Sequence, residues 1–369
     1  MNRPRVVAAM SGGVDSAVAA GLLARQGYEV IGVTMRLWTL HDPDAPRHRR
    51  GCCSVEDTDD AREAARALGI PHYVLNLERQ FQESVVDYFC REYQRGRTPN
   101  PCLACNEHVK FKALLSRALA LEADFLATGH YARIDHVNGR YRLLRAVDGE
   151  KDQSYVLFML GQAQLSRLLF PIGQHRKPEV RRLAADMGLP VAEKPESADI
   201  CFIPGNDYRA FIAGRLGPQA GEIRDGEGRI VGRHQGVAAF TVGQRRGLCV
   251  AVGEKRFVTS IDPARNLVTI GPEEELLAEQ LWAEDVRWVS GEPPPPGAAV
   301  EGKIRYRTPA APAELYAQGE GAHVLFREPQ RAITPGQAVV FYQGDEVLGG
   351  GIIAHSGRSE GSRGIGRRP

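Results

Sequence analysis

Apolar and polar positions in the first half of the chain fall into two alternating kinds of segment. Arg5–Met10 is apolar after its first residue and reads as a strand buried on both faces. Tyr28–Met35, Pro71–Leu77 and Asp124–Ala127 are further strands of this kind. Between them, Ala17–Gln26, Thr58–Leu68 and Val109–Leu121 have helical content, and Gly69 supplies a stop for the second. Strand alternating with helix predicts an α/β fold, a parallel sheet with helices on both faces. Asn138-Gly139, between Tyr131–Val137 and Arg140–Arg145, predicts a β-hairpin. The polar stretch Gly149–Tyr155 is expected on the surface.

From about Asn206 the pattern changes to short strands. Asp225-Gly226 and Asp262-Pro263 mark turns, with strands at Phe257–Ile261 and Leu267–Ile270. Pro293–Pro296 is a stiff, linker-like run. Beyond it Val300–Arg307, His323–Phe326, Ala338–Tyr342 and Gly349–Ala354 read as strands of a small β-barrel. In the first of these, Ile304 and Tyr306 alternate with Lys303, Arg305 and Arg307, so one face is basic: a solvated face or a phosphate-binding one. His355–Pro369 is rich in Gly, Ser and Arg and is expected to be disordered.

A chain of 369 residues is long for one core, so two or three domains are expected. Hydrophobic content of 43% with 25% charged residues is that of a water-soluble globular protein. With 47 basic and 45 acidic residues the net charge is +2, so any nucleic-acid surface must be a local patch. No apolar run reaches membrane-spanning length, and the first strand begins too early to leave room for a signal peptide. A cytoplasmic, reducing location is expected, where seven cysteines are chemical or metal-binding rather than a disulfide framework. The basic run Arg47–Arg50 looks like a mobile loop, either solvated or contacting RNA; the adjacent Cys52 and Cys53 suggest no role.

The candidate chemistry starts where the first strand breaks, at Ser11-Gly-Gly-Val-Asp-Ser16. Strand, Gly-rich turn and helix aim backbone N–H groups and a positive helix end at an anion. Ser11 and Ser16 bracket the turn with hydroxyls, and Asp15 is placed to hold magnesium or a ribose; there is no Walker lysine. Met35, ending the second strand, can touch an adenine or fill the core. Gly96-Arg-Thr-Pro-Asn-Pro-Cys-Leu-Ala-Cys-Asn106 carries two prolines, which argue against a helix there. Its Cys102 and Cys105 are half a zinc site, a redox pair, or a source of one low-pKa nucleophile. Cys201, between apolar neighbours, reads as structural or as a third reactive thiol.

The S-G-G-x-D-S loop is similar to the pyrophosphate loop of the adenine-nucleotide α-hydrolase superfamily, which implies ATP and adenylation. With Gly96-Arg-Thr-Pro-Asn-Pro, Ala127-Thr-Gly-His-Tyr-Ala-Arg, Lys151-Asp-Gln-Ser-Tyr, Ile200-Cys-Phe-Ile and Thr241-Val-Gly-Gln-Arg-Arg-Gly-Leu, the chain from Val6 to about Ala354 resembles the bacterial tRNA-specific 2-thiouridylases. The resemblance implies an ATP-pyrophosphatase-type α/β domain over 1–205, a small central domain over 206–275, a carboxy-terminal β-barrel over 276–355 and a disordered tail over 356–369. It implies ATP binding by Ala9, Met10, Ser11, Gly12, Gly13, Val14, Asp15, Ser16, Met35 and Gly129, with magnesium. Cys105 falls at the nucleophile and Cys201 at the persulfide carrier. Asn100, Pro101 and Cys102 fall where the family meets the target base. His130, Lys151, Asp152, Gln153, Arg305, Tyr306 and Gln337 fall where it meets tRNA. The partners implied are the anticodon arm of tRNA and a sulfur donor, a cysteine desulfurase or a persulfide relay protein.

Cys102 departs from the family, many members of which carry aspartate there as a general acid or base. It places a third thiol beside Cys105 and Cys201, so an iron–sulfur cluster on the three cysteines stands as an alternative to a persulfide–disulfide route. Two other readings compete: an ATP-pyrophosphatase-type synthetase acting on a small metabolite, and a non-catalytic RNA-binding protein using ATP only as a conformational ligand.

Overall fold

The computed structural model describes residues 3–38, 55–195, 200–203, 205, 207–248, 250 and 253–358. The basic run Arg47–Arg50 with Cys52 and Cys53, Cys249, and the tail 359–369 lie outside the described residues.

Strand β1 (Arg5–Ala9) is central in a parallel sheet. Its neighbours are β2 (Glu29–Arg36) and β4 (Phe125–Ala127), with β3 (His72–Asn76) and β7 (Leu168–Leu169) at the edges. The uninterrupted apolar run follows from burial on both faces. Val6, Ala8 and Met10 pack with Ala17, Val18 and Ala20 of helix α1 (Val14–Arg25) and with Val180 and Ala184 of the helix Lys177–Asp186. Val7 points to the other layer, with Leu114, Leu115 and Leu126. Val6 and Val7 are almost wholly buried, each contributing about 1.5–3 kcal/mol over an exposed position. The second helix, α2, spans Val55–Leu68.

The predicted hairpin forms β5 (Ala132–Val137) and β6 (Arg140–Arg145), with Asn138 at φ 52° and Gly139 at φ 77°, as a type I′ turn requires. It leaves the α/β layer, for β6 pairs with a strand of the carboxy-terminal barrel, Leu143 opposite Val347.

The middle of the chain forms a four-stranded sheet of β8 (Gly221–Asp225), β9 (Ile230–His234), β10 (Phe257–Asp262) and β11 (Leu267–Gly271), in the order β10-β11-β8-β9. Ile223, Val258, Val268 and Ile270 fill its core. The barrel comprises β12 (Leu277–Trp288), β13 (Ala298–Lys303), β14 (Ala311–Gln318), β15 (Gly321–Arg331), β16 (Ala338–Gln343) and β17 (Glu346–Gly357). It closes through β12–β17 pairing.

Four expectations need correction. The strand expected over Val300–Arg307 ends at Lys303, and residues 304–308 form a turn, so the basic alternation beyond Lys303 is not a sheet face. Pro101 does not exclude a helix; it opens one, at the first position, where its missing N–H costs nothing. Gly149–Tyr155 is not uniformly exposed, since Asp152, Ser154 and Tyr155 are buried under the barrel. His355–Gly357, expected to be disordered, continue β17, with His355 opposite Trp282.

Candidate active site

The Ser11–Ser16 turn lies at the carboxyl ends of β1 and β4, where ligands of parallel sheets bind. Gly12 has φ 75°, and a Cβ there would sit 2.2 Å from the Asp57 carbonyl oxygen, so only glycine fits. The Ser11 N–H donates to Ser16 Oγ at 3.0 Å, and Ser16 Oγ donates to the Gly13 carbonyl at 3.0 Å. Gly13 caps α1 without a side-chain acceptor, which leaves first-turn N–H groups available to an anion. Gly129, after β4, comes so close that a Cβ would lie 2.7 Å from Ser16 N.

Residues far along the chain complete the loop. Lys177 Nζ donates to both carboxylate oxygens of Asp15 at 2.8 Å, and the Tyr131 hydroxyl donates to the same carboxylate at 2.8 Å. Lys194 Nζ donates to the Gly12 carbonyl at 3.0 Å, to Asp57 at 2.7 Å and to Asp60. Burial lowers the pKa of Lys194, but its bonds to Asp57 and Asp60 outweigh that and raise it. The chain thus brings cations to its phosphate-type loop without a Walker lysine.

The cysteines lie beside this sheet end. Asn100 Oδ1 accepts the Cys102 N–H at 3.0 Å and caps the helix Pro101–Ala104. Cys105 begins its π-helical continuation, Cys105–Leu114. Cys105 is 8% exposed and shares an apolar cluster with Val109, Phe202 and Ile203, against which Cys201 packs. Met35 touches this cluster and also the core under β1, so the second strand links the ATP-type loop to the cysteine pair. Cys102 is exposed and lies on the side of Tyr306, whose pKa it helps to raise after burial and Asp152. Among the described residues no group of three His, Cys, Asp or Glu side chains could hold a metal ion. Cys105 is buried within this cluster and Cys201 packs against it, while Cys102, one helical turn from Cys105, is exposed.

The residues expected to meet tRNA divide. His130 is buried between Phe111 and Phe170, its Nδ1 2.7 Å from Thr128 Oγ1, so its side chain supports the site from within. Asp152 is buried too, accepting from the N–H groups of Ala146 and Ser154 and from the Ser154 hydroxyl. Gln153 Oε1 accepts the Tyr131 N–H at 2.9 Å. Gln337 Nε2 donates to the Thr98 carbonyl at 2.8 Å and holds the segment leading to Asn100. Arg305 donates to the carbonyls of Val242 and Ala332 and to Thr334 Oγ1, bolting the barrel to the middle sheet. The side chains of His130 and Asp152 are thus internal, and that of Arg305, partly buried, is engaged between the barrel and the middle domain. Tyr306 remains 36% exposed, its ring 6.0 Å from that of Tyr155, with Lys303 Nζ 5.8 Å away. Asn100 and Lys151 are half-buried.

Two of these placements have measurable consequences. Arg305→Ala removes the charged donor from the Val242 carbonyl, while the Ala332 carbonyl and the Thr334 hydroxyl keep each other; it is expected to cost about 1.5–3 kcal/mol, read as a fall in Tm. The salt dependence of RNA binding should not change, whereas loss of a phosphate contact would flatten the slope by about 0.7–0.9. Burial, then the nearby Lys110, pushes the His130 pKa well below 6.5. The unfolded chain takes up a proton below pH 6.5 that folded His130 refuses, so this stability is present above that pH and is lost as pH falls through the folded pKa. Thermal denaturation from about pH 7.5 to about pH 5, across the ordinary histidine pKa, should show a steeper fall for wild type than for His130→Gln. Equal slopes would place a charged or exposed imidazole at 130.

Residues 4–205 match the family model described as the tRNA methyl transferase HUP domain. Residues 209–272 match its PRC-barrel domain, and 278–353 the aminomethyltransferase beta-barrel domain. Among curated relatives, the tRNA-specific 2-thiouridylase MnmA of Pelotomaculum thermopropionicum is 49% identical over 361 residues, covering 97% of this chain and 99% of the relative. The proteins of the same name from Roseiflexus castenholzii and Geobacter metallireducens are each 52% identical, covering 95% of this chain and 99% and 97% of their own lengths.

Proposed function

The chain belongs to the tRNA-specific 2-thiouridylase family, a tRNA-uridine 2-sulfurtransferase by its relatives, and we propose that it works by adenylation followed by sulfur attack. The uridine 2-oxo group is a poor leaving group. Its oxygen attacks the α-phosphorus of ATP held by the loop Ala9–Ser16 with Met35 and Gly129, pyrophosphate departs, and the base carries AMP on O2. First-turn N–H groups of α1 face the polyphosphate, and magnesium arrives on the nucleotide, because the Asp15 carboxylate is already engaged by Lys177 and Tyr131.

Cys201 carries the transferable sulfur as a persulfide, received from a cysteine desulfurase or a relay protein. The Cys105 thiolate attacks the Cys201 sulfur, forming a Cys105–Cys201 disulfide and releasing hydrosulfide. Hydrosulfide adds to C2 and expels AMP, leaving 2-thiouridine; a thiol reductant returns two electrons to the disulfide. The wobble base must leave its stack to reach this point, and Asn100, Cys102, Lys151 and Tyr306, over the buried Pro101, are the surface that receives it. ATP, tRNA and thiol reductant meet in the cytoplasm, and no described helix is long and apolar enough to cross a membrane.

The observation that carries this reading is Met35, packed against both the sheet core under the loop and the cluster of Cys105 and Cys201. The test is stoichiometry with unmodified tRNA, ATP and a persulfide donor. One AMP and one pyrophosphate should form per 2-thiouridine, and none without tRNA. ATP cleavage indifferent to tRNA would instead support a synthetase for a small metabolite.

A further inference from the structure

The turn 241–248 of the middle domain has no part in the chemistry above, yet it is built with care. The Thr241 N–H donates to Gln244 Oε1 at 3.1 Å, and the Gln244 N–H returns to the Thr241 carbonyl at 3.0 Å. The Arg246 carbonyl is held by two donors, Gln244 Nε2 at 3.1 Å and Arg209 Nη2 at 3.3 Å. The Gly243 N–H and the Gln244 carbonyl bond to Val258 of β10 at 2.8 and 2.9 Å. Gly247, at φ 72°, takes a left-handed backbone that favours glycine. This rigid turn presents Arg245 and Arg246 to solvent, and among the described residues no carboxylate forms an ion pair with either. Lys255 is exposed beside Arg245 along a shallow recess; Glu254, its acidic member, is paired with Arg256 at 3.1 Å.

The turn is also wired to the cysteine helix. Thr98 Oγ1 donates to Thr241 Oγ1 at 3.2 Å, the Thr98 N–H donates to the Pro335 carbonyl at 2.8 Å, and its carbonyl accepts from Gln337. Thr98 thus ties the turn 241–248 and the loop before β16 to the segment two residues before the cap Asn100.

We propose that Arg245 and Arg246 contact backbone phosphates of the bound tRNA, making the middle domain part of the RNA-binding surface. The inference rests on the tRNA reading above. Two phosphate contacts contribute about 1.5 to the slope of log affinity against log salt. Filter binding of unmodified tRNA across a KCl series should show Arg245→Ala/Arg246→Ala with its slope reduced by about that amount. Its KM for tRNA should be at least about tenfold higher at physiological salt, with kcat and ATP binding as in wild type. Arg245→Lys/Arg246→Lys should restore the slope, separating charge from any structural role. Wild-type slope in a folded alanine variant overturns the proposal and leaves the thiolase reading standing. Wild-type protein that binds no tRNA overturns both.

Discussion

Cys105→Ser and Cys201→Ser should each lower tRNA thiolation by at least about a thousandfold while ATP cleavage on the first turnover persists. A serine hydroxyl is neither a soft nucleophile nor a carrier of persulfide, but it fills nearly the same volume. Both side chains sit at an apolar cluster with Phe202 and Ile203, so the fold should survive the exchange. Adenylated tRNA should therefore accumulate, to be read by gel shift or mass spectrometry after rapid quench. Cys102→Ser is the contrast, because Cys102 is exposed at its own turn and outside that cluster; it should retain thiolation within about tenfold. Equal loss in all three variants, together with stoichiometric iron, would favour the three-cysteine cluster over the persulfide route.

Gly129→Ala should lower kcat/KM for ATP about a hundredfold and leave tRNA affinity unchanged. The argument is steric. The new methyl would lie 2.7 Å from Ser16 N and 2.8 Å from the Asp15 carbonyl carbon, both backbone of the first turn of α1. That turn cannot yield as a side-chain tip would, because it is held by the Ser11–Ser16 and Ser16–Gly13 hydrogen bonds. It must move away from β4, carrying its N–H groups off the polyphosphate position. Unchanged tRNA binding reports that the rest of the molecule is folded. ATP cleavage at the wild-type rate would remove the Ser11–Ser16 loop from the nucleotide site.

What was legible in the sequence was local. The apolar run before Ser11, the glycines of the turn and Asn138-Gly139 each fix backbone geometry through their immediate neighbours, and each forms where expected. Pro101 was misread although its signal was available: Asn followed by Pro is a helix start as readily as a break. The strand expected over Arg305 does not form because alternation is informative only while a strand lasts, and this one ends two residues earlier. His130 and Asp152 look like surface polar residues in the sequence; only the packing of Phe111, Phe170 and the barrel buries them. Lys177 and Lys194 had no local signal. They meet Asp15 and Gly12 across 162 and 182 positions, through contacts that exist only after the sheet has formed. The fusion of β6 to β17 is of the same kind, joining Leu143 to Val347.

The adenylation step is tested most directly by following one oxygen atom. tRNA transcribed with oxygen-18 at C2 of uridine would be thiolated by the wild-type enzyme, and the released AMP analysed by mass spectrometry. If the 2-oxo group leaves as part of AMP, each AMP gains one heavy oxygen for each 2-thiouridine formed. Unlabelled AMP alongside normal 2-thiouridine would contradict the account, because the oxygen would then have left by a path that ATP does not activate.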